Sequence, residues 1–139
     1  MVADRSSNSY NVFTSCTTVN PNQTLQFAKW LKGNSSFTDT ELSPIYQDYR
    51  GLAPIYLQAG GKEILVDMIR DFAKTLEKQG SRVRLDIWKH MTHEFHGYGK
   101  HLPESREALE WIRRAIAWAQ QSESNKEFST IAQTEVNCL

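Results

Sequence analysis

The chain has 139 residues, 40% of them hydrophobic, which suits one small globular domain with a single core. Its 16 Lys and Arg balance 16 Asp and Glu, and the charges are interspersed without a basic block, which argues against nucleic acid or an anionic membrane surface as partner. The opening MVADRSSNSYNVFTS lacks the cationic start and apolar stretch of a secretory signal, and no later window is apolar for long enough to cross a bilayer, so the expectation is a soluble, cytoplasmic protein.

Residues 1–21 are rich in Ser, Thr, Asn and Asp and read as a loosely ordered lead-in. Cys16 and Cys138 stand near opposite ends in polar surroundings and read as free thiols. The sequons at Asn22 and Asn34 carry little weight without a secretory signal. From Thr24, the residues Leu25, Phe27, Ala28, Trp30 and Leu31 predict a short amphipathic helix that Gly33 ends. Pro44, in LSPIY, disfavours any continuing helix.

Ile55-Tyr-Leu-Gln-Ala is a short, mostly apolar run ending in Gly60-Gly61, as in a parallel strand buried on both faces. Leu65, Met68, Ile69, Phe72 and Leu76 then recur at helical spacing until Gly80. Val83, Leu85 and Ile87 alternate with Arg82, Arg84 and Asp86, the period of a second strand. Strand, helix, strand is a βαβ unit, and its two strands should be parallel. Pro103-Glu-Ser opens a last helix with an apolar face of Ala108, Leu109, Ile112, Ala115, Ile116 and Ala119. The division predicted is a lead-in over 1–21, a partial α/β domain over 22–120 and a disordered polar tail over 121–139.

In an open α/β sheet, reactive groups gather beyond the carboxyl ends of the strands. Glu63 follows the first strand, and His93, in HMTHEFHGYG, follows the second. Adjacent parallel strands would bring them together, with the carboxylate orienting an imidazole that acts as base. Taken singly, Glu63 could merely favour a helix start and His93 merely pack in a loop. A second reading is a metal site, because His90, His93 and His96 recur every three residues; no nearby cysteine completes a ligand set, and the expectation is that no metal or other cofactor is bound.

Taken together, SPIYQDYRGLAPIYLQAGGKEILVD, RVRLDIWKHMTHEFHGYG and PESREALEWI resemble the C-terminal part of the α/β-hydrolase fold, in its hormone-sensitive-lipase-like esterase branch. The resemblance spans about residues 20–119. It implies Glu63 as the triad acid and His93, in Met91-Thr-His93-Glu-Phe95, as the base. Lys62 departs from the acidic residue that many members carry there, and Asp67 is the fallback acid. It also implies a small-molecule ester as the substrate of the complete protein.

The same family uses a serine in Gly-x-Ser-x-Gly and an HGGG-type segment for the oxyanion. Neither occurs in these 139 residues. Ser15 sits in the polar lead-in and Ser43 before a proline, where a turn role suits it better than a nucleophilic one. The chain thus reads as the C-terminal portion of a serine ester hydrolase without its nucleophile, inactive alone. The alternative is a non-catalytic remnant or interaction protein, and an open sheet edge in either case favours self-association.

Overall fold

The computed structural model describes residues 8–13, 19–120 and 133–136. Helix α1, Asn8–Phe13, is followed by α2, Pro21–Lys32, and the short α3, Asp39–Leu42. Strand β1, Ile55–Gly60, helix α4, Val66–Lys78, and strand β2, Val83–Trp88, form the βαβ unit that the sequence predicts. A 3-10 stretch, Phe95–His101, broken by a kink at Gly99, leads into α5, Pro103–Gln120, and strand β3 is Gln133–Val136.

The strands lie in the order β1-β2-β3. β1 and β2 are parallel, in a register running from Ile55 opposite Val83 to Gly60 opposite Trp88, so the two strands end level. Helix α4 covers one face, where Val66, Ala73 and Leu76 pack with Ala59, Val83, Leu85 and Ile87. On the other face lie α5 and the 3-10 stretch, with Trp88, Phe95 and Ala108 in contact and Met91 and Trp111 against them. Coverage on both faces explains why β2 is buried nearly throughout, as parallel strands require.

The same second face holds a polar group. Tyr56 donates its hydroxyl to the fully buried Asp86 at 2.6 Å, and Arg84 reaches that carboxylate at 3.4 Å. Burial, and then the hydrogen bond to Asp86, push the Tyr56 phenol well above its ordinary value.

Three expectations change. Within the lead-in 1–21, residues 8–13 are helical rather than loose, because Tyr10 packs against Ile64 and Met68 and Ser9 bonds to the start of α4. Residues 14–18, and with them Ser15 and Cys16, lie outside the described residues. The helix expected from Thr24 begins at Pro21, because Asn20 caps it by accepting from the N–H groups of Asn22 and Gln23. The tail 121–139, read as disordered, lies outside the described residues except for β3, which pairs in parallel with β2 from Leu85 opposite Gln133 to Trp88 opposite Val136. β3 satisfies an edge of β2 that two strands alone would leave open.

Candidate active site

Glu63 and His93 leave their strands at the same end. Glu63 lies three residues beyond Gly60, in the turn before α4, and is 2% exposed. His93 lies five residues beyond Trp88, the register partner of Gly60, with a third of its side chain exposed. The two turns are joined main chain to main chain. Gly61 N donates to Trp88 O at 2.8 Å, Lys62 N to Met91 O at 2.9 Å, and Met91 N to Trp88 O at 3.1 Å.

The outcome is a contact of 2.5 Å between Glu63 Oε2 and His93 Nδ1. That hydrogen bond raises the His93 pKa above its ordinary 6.5, against the opposing effect of burial and with help from the nearby charges of Glu63 and Glu94. Phe95 anchors the loop, its ring packed at a tilt against Trp88 with centroids 5.4 Å apart, and Ser105 on α5 donates to His96 O at 2.6 Å.

Asp67 does not take the same place. Its carboxylate accepts from Ser9 N at 2.7 Å and from Arg70 at 3.1 Å. Burial acts to raise its pKa, but these bonds outweigh it and hold the carboxyl below the usual range. Ser43 is buried as the cap residue at the end of α3, and its carbonyl accepts from Tyr46 N at 3.2 Å, a turn role. His90 and His96 are both exposed, and among the described residues no three His, Cys, Asp or Glu side chains converge as a metal site.

An open pocket of about 480 Å³ adjoins His93, lined also by Asn20, Gln23 and Phe27 from the α2 side and by Glu94 and Tyr98 from the loop that carries His93. Phe27, on the apolar face that the sequence predicts for this helix, is 56% exposed and is therefore not core. The sequence reading did not reach Asn20 and Gln23 as pocket residues. Asn-Pro ahead of a helical pattern marks the cap at Asn20, but what the capped end faces is a tertiary matter.

The family model described as alpha/beta hydrolase fold matches residues 1–97. An acetyl-hydrolase of Streptomyces hygroscopicus is 38% identical over 68 residues, 49% of this chain and 23% of that protein. An esterase of Acinetobacter venetianus is 32% identical over 71 residues, 51% of this chain and 23% of that protein. The chain thus spans about a quarter of the length of these curated relatives. Among solved structures, an esterase from the bacterial hormone-sensitive lipase (HSL) family superposes with a TM-score of 0.76 at 24% identity, over 86% of this chain and 40% of that one. EstE1, a thermophilic and thermostable carboxylesterase cloned from a metagenomic library, superposes with a TM-score of 0.70 at 21% identity, over 84% and 40%. At such identities the superpositions speak for the fold. With parallel β1 and β2, their covering helices and a family model matching most of its residues, the chain belongs to the alpha/beta hydrolase fold family.

Proposed function

We propose that this chain carries the base and the orienting acid of a serine carboxylic-ester hydrolase, with His93 as proton shuttle and Glu63 as its partner. The observation that carries the reading is the 2.5 Å contact between Glu63 Oε2 and His93 Nδ1. A carboxylate at Nδ1 favours the tautomer protonated there, so Nε2 is the nitrogen that takes the serine proton and returns it to the leaving alcohol. Glu63 then stabilises the imidazolium formed between those steps. Names of the relatives point the same way, since both curated matches are hydrolases and one is called an esterase.

The serine and the oxyanion donors belong, on this reading, to polypeptide beyond these 139 residues, and the substrate is a small-molecule ester. Triad members act as a unit, so a base and an acid without their nucleophile supply almost none of the rate gain. A fluorogenic short-chain ester assay should be flat for the 139-residue chain. A version extended upstream through a Gly-x-Ser-x-Gly turn should be active, and His93→Ala should then cost it at least about 100-fold in kcat. Full activity of the extended protein without His93 would end this reading.

A non-catalytic role rests on a different observation. Among the described residues, β1 pairs on one side only, with β2, and such an edge is a template for a further strand. Self-association through β1 follows, and a mass measured in solution above that of one chain is its signature.

A further inference from the structure

We infer that Gly60 is a positioning residue for the Glu63–His93 pair: a bare backbone at the end of β1 lets the base loop seat against the acid turn. The inference rests on the proposed pairing of these two residues. A Cβ built on Gly60 would stand 2.3 Å from Thr92 O, 2.5 Å from Met91 O and 2.7 Å from Thr92 C. An ordinary carbon–oxygen contact is about 3.3 Å or longer, so the loop would have to retreat by about an ångström. All three atoms are main chain, so no side-chain rotation relieves the clash. Gly61 is less constrained, its nearest neighbour being Trp88 O at 3.1 Å.

Two further features show that the base loop depends on this seat. His90 at φ 73° and Glu94 at φ 55° bracket His93 in the left-handed region, which non-glycine residues avoid. A loop held against its intrinsic preference needs anchors, and the bonds from Gly61 N to Trp88 O and from Lys62 N to Met91 O supply them here. Met91 and Thr92, the residues a Gly60 side chain would displace, immediately precede His93. A shift of about an ångström there would move the imidazole beyond hydrogen-bond reach of a carboxylate now at 2.5 Å.

The test is an NMR titration of the His93 ring in the native chain and in Gly60→Ala, Gly61→Ala and Glu63→Gln. The native ring should titrate above 6.5 and Glu63→Gln should mark the value without the carboxylate. Gly60→Ala should fall most of the way to the Glu63→Gln value, and Gly61→Ala should fall less. A folded Gly60→Ala that keeps the native His93 titration overturns the inference, because a loss of global stability alone would not move that midpoint in the folded fraction. If Gly60→Ala does not fold, amide exchange in the native chain decides. The Lys62 N–H should be protected as strongly as the β1 amides bonded to β2, and exchange at the rate of an exposed loop overturns the inference. Neither measurement uses ester turnover. A flat assay of the extended protein would sink the proposed function and leave this intact, whereas an unmoved His93 titration would do the reverse.

Discussion

Glu63 and His93 are 30 positions apart in sequence, yet Oε2 of the first lies 2.5 Å from Nδ1 of the second. Two parallel strands in level register bring them there, and main-chain bonds between the turns that follow hold them. The carboxylate is buried and the imidazole is partly open to the pocket. This asymmetry suits an acid that stays put and a base that exchanges protons.

The pair makes stability depend on pH with a definite sign. The folded His93 pKa lies above 6.5, so the native state holds this proton more tightly than the unfolded chain does. The stabilisation is fully present below that ordinary value and is lost as pH rises through the folded one. Denaturation midpoints of the native chain and Glu63→Gln, compared at about pH 5.5 and pH 8.5, should differ more at the lower pH. An equal difference at both would mean that the contact does not govern the proton.

Asp67 should behave with the opposite sign. Its folded pKa is depressed, so the stabilisation it gives is present above the ordinary 3.8 and disappears as pH falls through the folded value. Asp67→Asn should cost about 1–3 kcal/mol at neutral pH, mostly by weakening the bond from Ser9 N. Amide exchange in α1 should quicken in the same variant while that in β2 does not. Unchanged protection of Ser9 would mean that Tyr10 alone docks the helix.

Tyr56→Phe removes a 2.6 Å hydrogen bond from a carboxylate with no solvent access. Arg84, at 3.4 Å, is too far to compensate fully. The expected cost is about 1.5–3 kcal/mol in denaturant unfolding. A neutral result would show that water or Arg84 satisfies Asp86 without the phenol.

Packing on the α4 side and on the outer flank of α5 should separate cleanly. Leu76 is fully buried among Ala73, Val83 and Leu85, and Leu76→Ala should cost about 2–5 kcal/mol. Ile116 is 57% exposed, and Ile116→Ala should change stability by no more than about 0.5 kcal/mol. A large loss at Ile116 would reveal that a second chain covers α5 in solution, which a mass measurement would then register.

Much of this organisation was legible in the residue pattern. The alternation at Val83, Leu85 and Ile87 located β2, and the helical spacing from Leu65 to Leu76 located α4, because each periodicity is the geometry of its own backbone. The parallel relation of β1 and β2 followed from the helix between them, and the shared rim of Glu63 and His93 from that relation. Tertiary structure alone decided the rest. Helix α1 depends on a landing site on α4 and the turn before it, where Asp67 and Ile64 receive Ser9, and Ile64 and Met68 receive Tyr10. Strand β3 is a four-residue segment of a polar tail, too short to show a period, and its identity as a strand comes from the edge of β2. That Glu63 meets His93, while Asp67 bonds to Ser9 of α1 and to Arg70, is likewise a tertiary outcome. Periodic patterns report what a segment does with its own backbone, whereas docking, edge pairing and partner choice depend on surfaces contributed by residues far away in the chain.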